Sequence, residues 1–228
     1  KINYKILSLL LFSIIFSQHI NYDQSEIYYN QIKNIEIVGI ENTDSTQIND
    51  WKLFINNTLV KQNFISPFSF EQSNLSANTN YTIKLSSESR DIEDSYKFCT
   101  LSKPIDMLTV DKITESTASI LIKDDNNNKT QHLIKIVDTK TSQVAYYDPS
   151  EDMVATANWI TLDNKNITLK NLKSNTKYEV HSTTRNNSNI ESESVTTNII
   201  TYALPVDELI VKDLDFSSIS IEINDKNN

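Results

Sequence analysis

The chain has 228 residues, a single glycine, four prolines and a formal net charge of −9. That length accommodates two ordinary domains, and the composition excludes collagen-like or glycine-rich linker material. An acidic balance without a basic patch argues against nucleic acid, and against an anionic membrane face, as partners.

Turns in such a chain must come from Asn, Asp, Ser and Thr. Ile, Val, Thr, Tyr and Phe are plentiful, which favours strands over helices. Cys99 is the one cysteine, so no intrachain disulfide is available and any fold rests on its apolar core. Beside Phe98 in a strand pattern, Cys99 reads as a buried thiol.

Lys1 and Lys5 flank the start of an apolar run, Ile6 to Phe16, that is too short to span a bilayer. Ile15 and Ser17 stand where a signal peptidase reads, before a cut at Gln18. Residues 1–17 are therefore expected to be a secretory signal. Residues 18–30, polar and Tyr-rich, read as a leader or a weak first strand.

A first domain is expected over residues 31–102. Ile35 and Ile37 mark a strand near Gly39. Trp51, Leu53 and Ile55 alternate, Asn56-Asn57 turns, and Leu59-Val60 returns, which predicts a hairpin. Phe64 to Phe70 is a strand broken by Pro67, hence an edge or a bulge. Tyr81 to Leu85 and Tyr96 to Thr100 complete the domain.

A second domain is expected over residues 103–203. Its strands are Met107 to Val110, Ala118 to Lys123, Leu133 to Val137, Val144 to Tyr147, Trp159 to Leu162, Asn166 to Leu169, Lys177 to Thr183 and Val195 to Tyr202. An acidic loop covers 148–158. Short strands with turn signals between them are the pattern of a two-sheet sandwich. Pro205-Val206-Asp207 then repeats Pro104-Ile105-Asp106, and Ser218 to Asp225 echoes Ser119 to Asp125. Residues 204–228 are expected to open a third domain, with the polypeptide continuing past Asn228.

One heptapeptide occurs twice: Leu75-Ser76-Ala77-Asn78-Thr79-Asn80-Tyr81 and Leu172-Lys173-Ser174-Asn175-Thr176-Lys177-Tyr178. The copies lie about one hundred residues apart, the length of one β-sandwich domain. The Leu ends a strand inside the core and Asn-Thr turns the corner. The Tyr opens the next strand, its ring buried and its hydroxyl free to bond backbone near the bend. This pattern resembles the E–F corner of fibronectin type III domains, whose usual form is Leu-x-Pro-Gly-Thr-x-Tyr. Ala77 and Ser174 stand for the proline, and Asn78 and Asn175 for the glycine. Asn is the non-glycine residue that best tolerates a left-handed backbone. The resemblance implies an all-β chain of tandem fibronectin type III-like (immunoglobulin-like) β-sandwiches after a signal peptide, with Leu75, Tyr81, Leu172 and Tyr178 as structural corner residues.

The chemistry-bearing residue types are sparse. His19, His132 and His181 are the only histidines, and no zinc-ligand spacing occurs. A single glycine builds neither a phosphate-cradling loop nor a Gly-x-Ser-x-Gly elbow. No catalytic, cofactor or metal residue is assigned. Asp124-Asp125 with Asp148, Glu151 and Asp152 offer the hard oxygens calcium takes, but their spacing fits no EF-hand loop and solvated turns account for them. Trp51 and Trp159 read as core anchors. Sequons occur at Asn56, Asn74, Asn80, Asn128, Asn166 and Asn186. Asn128 and Asn186 are the best glycosylation candidates, because both fall in expected loops.

The resulting expectation is a non-catalytic protein, secreted or on a cell surface, that binds an extracellular protein or glycan or acts as a spacer, with any membrane tether outside this stretch. The alternative is a set of accessory spacer modules of a secreted enzyme whose catalytic domain lies beyond Asn228. Cadherin-like repeats would instead predict calcium dependence.

Overall fold

The computed structural model describes residues 20–21, 25–37, 50–64, 68–88 and 91–224. Their regular elements are all strands. The chain divides into two compact units. One takes residues 1–26, 33–71 and 82–97, and the other residues 27–32, 72–81 and 98–228. The signal at 1–17, His19, Gly39 and Pro67 lie outside the described residues.

The first eight strands are β1 (Ile20–Asn21), β2 (Glu26–Ile27), β3 (Ile32–Ile37), β4 (Lys52–Ile55), β5 (Thr58–Gln62), β6 (Phe68–Gln72), β7 (Asn80–Ser87) and β8 (Ile92–Cys99). They make two sheets, one ordered β1-β3-β2 with β6 on β3, the other β5-β4-β7-β8. Alternation along β4 and β7 buries Leu53, Ile55, Ile83 and Leu85, and Trp51 joins them in the interior. Ile20 pairs with Ile37 and is buried, so the first sheet begins upstream of residue 31. In β3 the period of two breaks. Asn34 sits at φ 54°, and this left-handed residue rephases the strand so that Ile32 and Ile35 both face inward. Asn56 and Asn57, at φ 47° and 65°, close the β4–β5 hairpin with Ile55 opposite Thr58. Two consecutive positive φ values are what the twist-matched tight turn requires.

The second unit holds a complete sandwich. Strands β9 (Met107–Ile113), β10 (Ala118–Lys123) and β15 (Asn166–Leu169) form a sheet ordered β15-β10-β9. Strands β11 (Gln131–Asp138), β12 (Val144–Asp148), β13 (Asp152–Val154), β16 (Lys177–Arg185) and β17 (Val195–Ile200) form the other, ordered β13-β12-β11-β16-β17, with β14 (Ile160–Thr161) on β11. Part of the acidic stretch 148–158 is thus a hairpin, closed by Asp152 at φ 67°. Both β11 and β16 alternate without a break. Their inward residues, among them Ile134, Ile136, Tyr178 and Val180, meet Leu108, Ala118, Ile120, Ile122, Ile167 and Leu169 from the facing sheet. Each fully buried Ile contributes roughly 2–3 kcal/mol over leaving it exposed.

Strands β18 (Glu208–Leu214) and β19 (Ile219–Asn224) pair antiparallel. Leu209 faces Ile223, Val211 faces Ile221 and Leu214 faces Ile219. Strands β9 and β10 pair in the same register, with Leu108 facing Ile122, Val110 facing Ile120 and Ile113 facing Ala118. Each pair carries one irregularity at the same place, which leaves Asp111 and Lys212 without a partner opposite.

Candidate functional site

The two corners are built bond for bond alike. Asn78 lies at φ 46° and Asn175 at φ 47°. Tyr81 Oη accepts the N–H of Ser76 at 2.8 Å, and Tyr178 Oη accepts the N–H of Lys173 at 2.8 Å. Leu75 N–H donates to Asn30 O at 2.9 Å, and Leu172 N–H to Ser116 O at 3.0 Å. Thr79 Oγ1 caps Ala77 O and Thr176 Oγ1 caps Ser174 O. These bonds satisfy the backbone groups that a sharp change of direction strips of ladder partners. The rings differ in setting: Tyr178 is buried, whereas Tyr81 is half-buried and stacks on Phe98 at 5.6 Å between centroids.

A threonine that the corner motif does not contain completes each one. Thr100 Oγ1 donates to Ser76 O at 2.7 Å and accepts Thr79 N–H at 3.0 Å. Thr201 Oγ1 does the same with Lys173 O at 2.6 Å and Thr176 N–H at 3.0 Å. Its signal was present in the sequence, since each Thr stands four residues before Pro104 or Pro205 in the repeat Thr-x-x-x-Pro-x-Asp.

The first corner is enclosed further. Asn78 is only 1% exposed. Its Nδ2 donates to Thr130 Oγ1 at 3.0 Å, and its Oδ1 accepts the N–H of Asn187 at 2.8 Å. Asn127 Nδ2 reaches Ala77 O at 2.9 Å and Asn78 O at 3.0 Å. Asn126 clamps Lys103, accepting its N–H and donating to its carbonyl, both at 2.7 Å. Thr184 Oγ1 lies 3.0 Å from both Ser102 Oγ and Lys103 O. Cys99 is buried beside this network, and burial pushes its thiol pKa up. All these groups belong to the second unit.

Asn186 belongs to the same network and is only 2% exposed. Its Nδ2 donates to Thr100 O at 3.1 Å and its Oδ1 accepts the N–H groups of Ser188 and Ile190. The folded chain does not present this amide, because loop position does not guarantee exposure when the loop folds onto its own side chain. Asn128 is exposed.

The remaining polar residues are engaged separately. Asp124, fully buried at its side chain, has His132 Nε2 at 3.2 Å and Lys165 Nζ at 3.4 Å from Oδ2, neither aligned as a hydrogen bond. Burial pushes the His132 pKa below its ordinary value; Asp124 opposes that shift and Lys165 adds to it. Asp148 Oδ1 accepts the N–H and hydroxyl of Ser150, and Oδ2 accepts Asn158 Nδ2. These bonds hold its pKa down to about 2. Asp152 pairs with Lys170 at 3.0 Å and Asp125 with Lys103 at 3.2 Å. Among the described residues no three His, Cys, Asp or Glu side chains converge as a metal site. Trp51 is a core residue, but Trp159 is half-buried and lies under the Arg185 guanidinium at 4.5 Å. A groove of about 330 Å³ beside the second corner is lined by Ile136, Val144, Met153 and Tyr178, with the Lys173–Asp138 pair at 3.3 Å also on its wall. It holds no nucleophile beside a base.

No family model matches the chain, and no curated protein matches it. Solved structures do. A two-domain fibronectin type III segment of chicken tenascin is 13% identical, covers 81% of this chain and 98% of that one, and superposes with a TM-score of 0.58. The FN1–FN3 domains of chicken CNTN1 are 12% identical over 79% of this chain and 64% of that one, with a TM-score of 0.34. A computationally redesigned β-sandwich protein is 27% identical over 45% of this chain and 98% of that one, with a TM-score of 0.35. With the two sandwich patterns and the duplicated corner, the tenascin likeness identifies the fold: this is an all-β chain with the architecture of tandem fibronectin type III domains.

Proposed function

We propose that the chain is a non-catalytic extracellular protein, secreted or held at a cell surface, whose tandem sandwiches bind another protein or a glycan or set the distance between binding sites. The observation that carries this reading is the duplicated corner. The chain builds one rigid scaffold twice with the same bonds, and its polar side chains are used to hold that scaffold. Function must be argued from a site, and the charged groups described above pair with one another, the Lys173–Asp138 pair on the groove wall included. Residues 1–17 act as the secretory signal in this reading, and nucleic acid is not a partner.

Two measurements test it. Expressed in a secretory host, the chain is expected in the medium with Gln18 at its amino terminus; retention in the cytosol with Lys1 intact overturns the extracellular assignment. The purified labelled chain is then titrated onto intact cells and a glycan array. Saturable binding supports adhesion. A spacer reading gains if binding is absent and the flanking protein works equally well with an unrelated rigid linker of the same length. Turnover of a hydrolase substrate panel by the purified chain overturns the non-catalytic assignment.

A further inference from the structure

Beyond the setting of their tyrosine rings the two corners differ in cover: the Asn of the first is enclosed and that of the second is exposed. At the first, Asn78 is enclosed by Asn127, Thr130 and Asn187, and the segment beyond it is buried, with Cys99 at 7% and Ile105 at 3% exposure. Moved by the offset that relates Pro104 to Pro205, these positions become Ile200 and Val206, which are 58% and 47% exposed. Asn175 is exposed where Asn78 is not, and the ring of Tyr202 stands 60% exposed beside it. A corner residue with the φ of Asn78 is therefore exposed, its N–H bonded to Tyr202 O, and the stretch that follows leaves Ile200, Tyr202 and Val206 exposed as well.

The hairpin β18–β19 carries a second, independent mark of the same kind. Leu209, Val211, Leu214, Ile219, Ile221 and Ile223 are all exposed. Their register counterparts Leu108, Ala118, Ile120 and Ile122 are core residues under the β11–β16 sheet. The irregularity at Lys212 repeats that at Asp111. This hairpin is the A–B edge of a sandwich in every feature the backbone can show. An apolar face of this extent on a two-stranded ribbon is not stable in water alone.

We propose that the second corner, with Asn175, Ile200, Tyr202 and Val206, is the docking surface for the end loops of a third sandwich that the same polypeptide builds on β18–β19. The sequence after β19 fits that occupant. At the same offset, Asp225, Asn227 and Asn228 stand where Asp124, Asn126 and Asn127 stand in the second sandwich. Asn126 and Asn127 are the residues that clamp Lys103 and bond the first corner. The third sandwich would repeat the arrangement, its loops reaching Ser174, Asn175 and the segment around Leu204. This inference does not depend on what the protein binds.

The test compares the 228-residue chain with the natural polypeptide continued through the next sandwich, by hydrogen exchange and sedimentation. In the 228-residue chain the β18–β19 amides and the Asn175 side-chain amide are expected to exchange freely, and the hairpin to bind an apolar dye. In the longer polypeptide both sets of amides are expected to slow by roughly tenfold or more, with dye binding lost. There Asn175→Ala and Tyr202→Ser should each speed exchange in the third sandwich's end loops while leaving β11 and β16 unchanged. Protection that appears in the 228-residue chain in step with its concentration overturns the proposal in favour of a second copy. Protection of the hairpin without protection of Asn175 overturns the docking surface, even though a third sandwich forms.

Discussion

The tyrosine hydroxyls allow the corner to be tested against itself. Tyr178→Phe and Tyr81→Phe remove the same bond of 2.8 Å from the same backbone position. Each keeps its ring, so packing is held nearly constant. A neutral hydrogen bond contributes about 0.5–1.5 kcal/mol, and a donor left unpaired in the interior costs about 1–3 kcal/mol. The Tyr178 bond is partly buried beneath a ring that is itself buried, while the Tyr81 bond is open to water that can replace the lost oxygen. Tyr178→Phe is therefore expected to cost about 1.5 kcal/mol and Tyr81→Phe about 0.5 kcal/mol. For a unit of this size about 1.5 kcal/mol lowers the melting point by roughly 3–6 °C. Urea unfolding followed by hydrogen exchange at the β11 and β16 amides reads the second unit directly. Equal losses in the two variants, or a larger one at Tyr81, would refute the argument that burial sets the value of this bond.

Four further outcomes are expected. Asn175→Gly should be tolerated within about 0.5 kcal/mol because the backbone there already lies at positive φ, whereas Asn78→Gly should cost about 2 kcal/mol or more through its two side-chain bonds, one buried and one partly so; equal effects from urea titration would contradict the enclosure of Asn78. His132 has a depressed folded pKa, so below the ordinary value of 6.5 the unfolded chain binds the proton and the folded chain does not. Stability present above that value should fall as pH drops through the window beneath it; His132→Gln should flatten the thermal-melting profile, and an unchanged slope in the variant would discredit this assignment. Chelator and added calcium should both leave the melting point unchanged, since the carboxylates of Asp124, Asp148 and Asp152 already have neighbours in the protein. Secreted from a glycosylating host, the folded chain should carry sugar at Asn128 and none at Asn186, as read by peptide mass spectrometry.

The regular part of this fold was legible, and the reasons are local. In β4, β10 and β11 alternation runs unbroken, so the sequence period equals the structural one. Asn56-Asn57 announced its hairpin because few residue pairs accept two positive φ values in succession. Ile32 was not legible: the left-handed Asn34 puts it three residues from Ile35 on the same face, and no period-two pattern contains that spacing. The strand at Ile20 was legible only as one of two readings of residues 18–30, a leader or a weak first strand, and for a different reason. It is two residues long, and long-range pairing with Ile37, not its own composition, places it in the sheet. Asn186 and Trp159 show the limit from the other side. The first carries a loop sequence yet is buried by bonds to its own turn, and the second is a large aromatic held at the surface by Arg185. The distant partners, Thr100 O for the Asn186 amide and Arg185 for Trp159, lie too far away in sequence to be inferred from it.

The scarcity of glycine ties these observations together. Left-handed positions among the described residues are filled by Asn34, Asn56, Asn57, Asn63, Asn74, Asn78, Asn171, Asn175 and Asn189, with Asp91, Ser142 and Asp152 at the rest. Glycine would meet the backbone requirement at each with less strain. Asn meets it while also placing an amide at the tip of every turn, a donor and an acceptor that glycine lacks. Some of these amides are used within the turn's own neighbourhood, as where Asn56 Oδ1 takes the N–H of Thr82 at 2.9 Å. Asn78 uses both ends of its amide, on Thr130 and on Asn187, residues distant in sequence. The same substitution that lets the corner turn therefore gives it a means of being recognised. Asn175 has the identical backbone, the same Thr and Tyr bonds behind it, and an exposed amide in front. On this argument Asn78 is more than a substitute for glycine: its amide bonds Thr130 and Asn187, and exchanging it for glycine should separate the turn, which would persist, from those two bonds, which would be lost.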